Sequence, residues 1–336
     1  MKLLRAAIIG LGVGERHIEG YNLHPRCQVV ALCDNNIEKL NEVGSKYPKC
    51  RLLSDASDIL NDASIDVVSI ASFDNYHREQ VIQALDRGKH VFVEKPLCLT
   101  DDEFKDIVNA LERSPRLHLS SNFVLRREPR FIELKSRIEA GKIGDVYYFD
   151  GDYDYGRLHK ILYGWRSDIP NYSVFLGGGI HLVDLICWLS RKKVIEVFAY
   201  GAKISTKNSK FPNSDFVVTL LKLTDGVVVK ISANFGSVTP HHHKISIYGT
   251  KGTFIQSHLE TAYIYSRNPD IAPERVYGIY PGTSKGDMIP SFIQQILGEG
   301  VAEVKKQEVL DSMSVCLAIE RSLKSGFPQA VDYCNN

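Results

Sequence analysis

Arg5-Ala6-Ala7-Ile8-Ile9-Gly10-Leu11-Gly12-Val13-Gly14 decides the fold. An apolar run of strand character ends in a glycine turn, and helix-forming residues follow it. Gly10 permits the tight turn, Gly12 lets backbone approach a pyrophosphate, and the helix start beyond offers free N–H groups and positive potential. The third glycine of the dinucleotide pattern would fall at residue 15, which is Glu15, so Gly14 takes its place in a shorter turn. Asp34 closes the next apolar run. A carboxylate there can accept from both ribose hydroxyls of NAD and repels a 2′-phosphate, and Asn35-Asn36 supplies no arginine for one. Gly10, Gly12, Val13, Gly14 and Asp34 are the expected nucleotide contacts, with NAD favoured over NADP. The plainer alternative is a tight βα turn with Asp34 capping the next helix.

Working outward, short apolar runs recur at 28–34, 51–53, 66–72, 90–95 and 117–121, separated by helical stretches. Runs apolar on both faces suit buried parallel strands, and parallel neighbours need crossover helices. The clearest helix starts at Thr100, where Thr100 and Glu103 form a capping box and Phe104, Ile107, Val108 and Leu111 share one face. This predicts a Rossmann-type, doubly wound parallel sheet over 1–122. After Asn122 the pattern changes. A helix over 129–140 is followed by longer alternating strands at 146–155, 194–204, 215–223, 227–235, 244–248, 253–256 and 261–265, with hairpin signals at Thr224-Asp225-Gly226 and Gly249-Thr250-Lys251-Gly252. Helices over about 286–298 and 305–325 close the chain. The expectation for 123–336 is an α+β substrate-binding and oligomerisation domain with an open, mostly antiparallel sheet.

The bulk numbers exclude more than they select. A length of 336 residues suits two domains, and a net charge of +1 gives no electrostatic reason to expect nucleic acid or an anionic membrane. Seven scattered cysteines without a C-x-x-C pair read as reduced, cytoplasmic usage with no zinc site. The opening residues lack a signal-type apolar stretch, and no run suits a membrane span. His241-His242-His243 resembles a metal tract, but strand alternation sends neighbours to opposite faces, so it reads as a surface or interface strand start.

Glu94-Lys95-Pro96 ends the run His90-Val91-Phe92-Val93. A lysine where a parallel strand of a nucleotide-binding sheet ends points to chemistry on a molecule bound beside the nucleotide. With this motif, the chain resembles the Gfo/Idh/MocA oxidoreductases. Ile70-Ala71-Ser72-Phe73-Asp74-Asn75-Tyr76-His77 is similar to the family's A-T-P-N-x-x-H loop, and Glu94-Lys95-Pro96 to its E-K-P motif. Gly141-x-Ile143-Gly144-x-Val146 resembles its G-x-I-G-x-V entry to the second domain. Gly178-Gly179-Ile180-His181-Leu182-Val183-Asp184-Leu185 resembles its G-x-H-x-x-D-L helix start, and Gly249-Thr250-Lys251-Gly252 its G-T-x-G hairpin.

The resemblance implies a nicotinamide cofactor, contacts to it from Ser72, Asp74, His77, Glu94 and Lys95, and a hydroxyl-bearing substrate such as a sugar, cyclitol or sugar nucleotide. It implies Lys95 and His181 as the catalytic pair, the histidine as acid/base and the lysine as polariser, and a homodimer or homotetramer built through the second-domain sheet. Two rival activities occur on this fold: glycosidase-type chemistry through transient NAD oxidation, and non-catalytic regulation by NAD binding. The family pattern carries an aspartate four residues before the histidine, where this chain has Gly177, and Thr-Pro where it has Ser72-Phe73. Asp184, at i+3 from His181, is either a substitute orienter or a structural contact, and Asp168 is a second candidate. Between 153 and 172 rings and cations crowd together (Tyr153, Tyr155, Arg157, His159, Lys160, Tyr163, Trp165, Arg166), which suits an anionic or nucleotide-linked sugar or else a solvated loop. Asn122, Arg126, Tyr155, Arg166 and His181 are the expected substrate contacts.

Overall fold

The computed structural model describes residues 3–334 and resolves two compact units. In the first, six strands form one all-parallel sheet in the order β3-β2-β1-β4-β5-β6. They are β1 (Leu4–Ile9), β2 (Cys27–Cys33), β3 (Arg51–Leu53), β4 (Val67–Ile70), β5 (His90–Val93) and β6 (Leu119–Ser121). The crossovers carry α1 (Glu15–Asn22), α2 (Ile37–Lys46), α3 (Ala56–Asn61), α4 (His77–Asp86) and α5 (Asp101–Arg113). β1 and β4 are buried nearly throughout, as a sheet covered on both faces requires. The cap at Thr100 forms: its hydroxyl accepts from Glu103 N at 3.2 Å, while the Glu103 carboxylate accepts from Leu99 N at 2.8 Å. The strand order reverses between β1 and β4, which places the glycine turn at the switch point where such sheets bind ligands.

The second unit starts near α6 (Pro129–Glu139) and adds the short α7 (His159–Leu162) and α8 (Ile180–Ser190). Its nine-stranded sheet has the order β14-β13-β12-β11-β7-β10-β9-β8-β15. The long strands are β7 (Val146–Asp154), β8 (Val194–Ala202), β9 (Phe216–Leu223), β10 (Val228–Asn234) and β11 (His242–Gly249). β12 (Thr253–Gln256), β13 (Thr261–Ile264), β14 (Glu274–Arg275) and β15 (Gln329–Ala330) complete it. All pairs are antiparallel except β7 with β10. One face is apolar and buried: Phe149 on β7, Val229 and Ile231 on β10, Ile245 and Ile247 on β11. A Cβ added to Gly151 would meet Leu182 at 3.3 Å, so α8 covers this face closely.

The division differs from a single cut at 122. The first unit runs to Val124 and takes back Thr283–Leu310, which includes α9 (Ile289–Ile296) and the first residues of α10 (Lys306–Ser325). Side-chain packing explains the return. Phe292 lies 5.8 Å from Phe92, Ser120 Oγ donates to Val304 O at 2.9 Å, and Gly20 admits Gly286 where a Cβ would stand 2.4 Å from its carbonyl oxygen.

Candidate active site

In the first unit the chemistry gathers at the carboxyl ends of the strands. Gly10 adopts φ +86°, and a Cβ there would lie 2.4 Å from Ala71 O. Gly14 lets α1 pack onto the sheet, since a Cβ would stand 2.1 Å from Gly10 O and 2.8 Å from Ile8. Gly12 is different: nothing lies within 4 Å of its Cβ position. The fold does not require glycine there, and an open backbone cradle beside the start of α1 fits a dinucleotide pyrophosphate. Asp34 is tied to this turn by Leu11 N, which donates to its Oδ2 at 2.7 Å, while Asn36 N donates to Oδ1 at 2.8 Å. Val13 is exposed beside them.

The loop after β4 and the segment after β5 are joined by His77, which is fully buried. Its Nδ1 lies 2.7 Å from Pro96 O and its Nε2 3.2 Å from Ser72 O. The expected cofactor contact at His77 is therefore corrected: the buried ring lies between two backbone carbonyls of these loops, and a neutral imidazole donates to one of them. Ser72 donates to Gln80 Oε1 at 2.7 Å, and Asp74 is buried in the first turn after the loop.

Glu94 is likewise an interior group, not an exposed cofactor contact. Its Oε1 lies 3.1 Å from His17 Nε2 and accepts from Asn122 Nδ2 at 2.7 Å. His17, wholly buried on α1, reaches Ser69 Oγ with its Nδ1 at 2.8 Å. Asn122 is also fully buried, with Nδ2 donating to Lys285 O at 2.9 Å. Its expected role as a substrate contact gives way, at Nδ2, to one in this network, while its Oδ1 is buried without a hydrogen-bond partner among the described residues. The network locks the residue immediately before Lys95. Sequence reading missed His17; the available signal was a polar residue on the buried face of α1, between Gly14 and Ile18. Lys95 itself is half-buried at the end of β5.

In the second unit, a turn of three glycines, Gly177-Gly178-Gly179, leads into α8 and His181. His181 is 5% exposed. Its ring stacks at 6.2 Å on Tyr153 and stands 6.3 Å from His243. Tyr153 also meets His241 at 5.2 Å and His243 at 5.1 Å, and Tyr155 stacks on Phe235 at 4.2 Å. The surface reading of His241–His243 is corrected here. His242 does start β11, but His243 is buried and His241 half-buried against Tyr153, because the odd positions of this strand face the covered side. Tyr280 joins them, its hydroxyl 2.5 Å from His243 Nδ1.

Asp184 and Arg126 are brought together. Arg126 Nε donates to Asp184 Oδ2 at 3.0 Å and Nη2 to Oδ1 at 2.6 Å, with both residues buried. Both carboxylate oxygens thus serve a bidentate ion pair, which accounts for Asp184 structurally and removes Arg126 from the open substrate contacts. Arg166 Nε donates to Tyr172 Oη at 3.0 Å and its guanidinium lies over Trp165 at 4.4 Å. Asp168 is exposed and paired with Lys210 at 2.5 Å, so it is no orienter of His181. Of the expected substrate contacts in this unit, His181, Tyr155 and Arg166 share one aromatic cluster.

Comparison with known proteins supports both units. A family model for the oxidoreductase family with NAD-binding Rossmann fold, GFO_IDH_MocA, matches residues 4–123, and one for the GFO/IDH/MocA C-terminal domain matches 131–255. The myo-inositol 2-dehydrogenase of Thermotoga maritima is 26% identical over 259 residues, covering 74% of each chain. Among solved structures, the myo-inositol 2-dehydrogenase of Lactobacillus plantarum superposes with TM-score 0.84 at 22% identity, covering 98% of this chain and 100% of that one. A levoglucosan dehydrogenase in complex with NADH does so with TM-score 0.85 at 22% identity, with the same coverage. These structural likenesses establish the fold.

Proposed function

The chain belongs to the Gfo/Idh/MocA family of NAD-binding oxidoreductases, and from that premise we propose that it moves a hydride between NAD and the hydroxyl-bearing carbon of a sugar or cyclitol. The observation that carries the reading is the open backbone at Gly12, next to a carboxylate that the turn itself anchors. NAD, when bound, supplies the hydride-accepting ring. Asp34 would receive the ribose hydroxyls and disfavour a 2′-phosphate. Lys95 would hold the substrate oxygen and stabilise negative charge developing on it. His181 would take the hydroxyl proton, a task suited to an imidazole near neutral pH. Tyr153 and Tyr155 offer ring faces for sugar C–H surfaces, and Arg166 favours a substrate bearing negative charge.

The uncovered face of the second sheet suits a homo-oligomer. Phe198 and the exposed Leu220 lie cross-strand, Lys230 lies opposite Leu220, and Lys230 pairs with Asp150 on β7 at 2.7 Å. Such a mixed apolar and charged surface can meet its own copy. Among the described residues no disulfide joins any of the seven cysteines, and a reducing, cytoplasmic compartment is part of this reading. Among the described residues no helix is long and apolar enough to cross a membrane.

The test is NADH formation over a panel of sugars, cyclitols and sugar nucleotides, with wild type beside Lys95→Ala. Turnover should fall by about 10²-fold or more in the variant. Tight NADH binding with no turnover of any panel member by wild type would replace this reading with a regulatory one.

A further inference from the structure

The three glycines before His181 are each occupied by a neighbour's ring. A Cβ on Gly178 would meet Tyr153 at 2.5 Å and Phe235 at 3.0 Å, and one on Gly179 would meet Phe175 at 2.8 Å. At Gly177 the intruder is polar: the position lies 2.3 Å from Tyr172 Oη. That hydroxyl thus stands where the side chain of residue 177 would begin. The 173–177 segment is already helical in course, with Gly177 N donating to Ser173 O at 2.9 Å. The turn from Phe175 to Gly179 is π-helical and runs directly into α8, so Tyr172 Oη, at the Cβ site of Gly177, stands four residues before His181 on the same helical course.

The hydroxyl is held there firmly. Tyr172 is 2% exposed. Its ring is boxed by Trp165 at 6.0 Å, Phe211 at 6.2 Å and Phe235 at 6.5 Å, and its carbonyl accepts from Asn213 Nδ2 at 2.8 Å. Arg166 Nε fixes the oxygen by donating to it at 3.0 Å. A phenylalanine would fill the same space without the cost of burying a phenol. Volume alone thus leaves the oxygen unexplained.

We propose that Tyr172 is the positioning residue for His181, its Arg166-bound hydroxyl doing the work of a polar side chain at position 177. The inference rests on the reading of His181 as the acid/base. Other titratable or charged groups facing this region come from the packed elements: Tyr153 from β7, His241 and His243 at the start of β11, the Arg126–Asp184 pair on α8 and before α6, and Glu320 of α10, which accepts from Ser173 Oγ.

The experiment compares wild type with Tyr172→Phe, which keeps the ring. The His181 imidazole is followed by NMR through a pH titration, assigned by the signal lost in His181→Gln. Its midpoint should move by about half a pH unit or more when the hydroxyl is removed. With a substrate that wild type turns over, kcat should fall about tenfold or more and its pH profile should shift with the imidazole, while the NADH dissociation constant, read by fluorescence, stays within about twofold. Gly177→Asp introduced into Tyr172→Ala should recover part of the lost kcat; in wild type the same Asp meets the phenol. An unmoved His181 midpoint in Tyr172→Phe overturns the proposal. That arm needs no turnover, so it decides the role of Tyr172 even if every candidate substrate fails.

Discussion

Two glutamates drawn out of solvent, Glu94 buried in the first unit and Glu320 partly buried in the second, are held in opposite states. Burial of Glu94 opposes its charge, yet the His17 hydrogen bond and the nearby Lys285 and Lys95 cations outweigh that and hold its carboxyl far below the usual carboxylate range. Burial of Glu320 pushes its carboxyl up to about 7, and the Ser173 hydroxyl offsets only part of the rise. The comparison shows that partners, more than depth, set the charge of a buried acid. The first unit surrounds the acid beside Lys95 with an imidazole, an amide and cations. The second places an acid that titrates near neutrality under Ser173, whose oxygen accepts from Phe175 N and Leu176 N at the start of the turn leading to His181.

The contrast breaks hardest at His17. His17→Leu leaves Glu94 buried without its imidazole, and losing one partner of a buried pair costs about 3–5 kcal/mol. Urea unfolding at pH 7 should show that loss, and His17→Leu/Glu94→Leu should recover much of it. The sign with pH follows from the depressed Glu94: its contribution is present above 4.5 and is lost as pH falls toward its lower folded value. The gap between wild type and His17→Leu should accordingly narrow in acid. A loss under about 1 kcal/mol at pH 7 would mean that the network is not stabilising.

The same contrast marks what the sequence could disclose. The parallel sheet, the glycine turn and the position of Lys95 follow from local periodicity and from the crossovers that parallel strands need, so they were readable. The groups that fix Lys95 were not. His17 meets partners 52 and 77 residues away, and Asn122 meets Lys285 across 163. For the same reason the return of Thr283–Leu310 to the first unit escaped a linear boundary. In the second unit the alternation of β11 was legible at His241–His243, but which side was covered depended on α8 and Tyr153. Gly177 announced a departure from the family pattern, while Tyr172, only five positions earlier, gave no sign that its oxygen would fill the space.

Glu320 offers the second, smaller effect. Its folded value near 7 lies above the ordinary 4.5, so the folded chain holds a proton that the unfolded chain has released. The resulting stability is full below 4.5 and is lost as pH rises through 7. Glu320→Gln cannot ionise. It should match wild type near pH 4 and exceed it at pH 8 by at most about 3 kcal/mol, less in proportion to residual solvation. Unfolding curves that keep the same spacing at both pH values would show that Glu320 is charged throughout, and would erase the difference between the two units.

The smallest effect on stability separates folding from binding within the first unit. Gly10 and Gly14 are bound by their own surroundings, through a positive φ at one and carbonyl contacts at both. Gly12 has neither constraint: its φ is not in the left-handed region, and its Cβ position is open. Alanine at 12 should therefore change unfolding by less than about 0.5 kcal/mol, or stabilise slightly by restricting the unfolded chain. If a pyrophosphate lies against that backbone, the added methyl blocks it, and NADH affinity should drop by about tenfold or more. Gly14→Ala should instead lose stability and affinity together, because the helix itself is pushed off the sheet. Unchanged NADH affinity in Gly12→Ala would move the dinucleotide away from this turn, and Asp34 would then be left as an anchor for Leu11 N and Asn36 N, beside the Asn36 cap of α2, and nothing more.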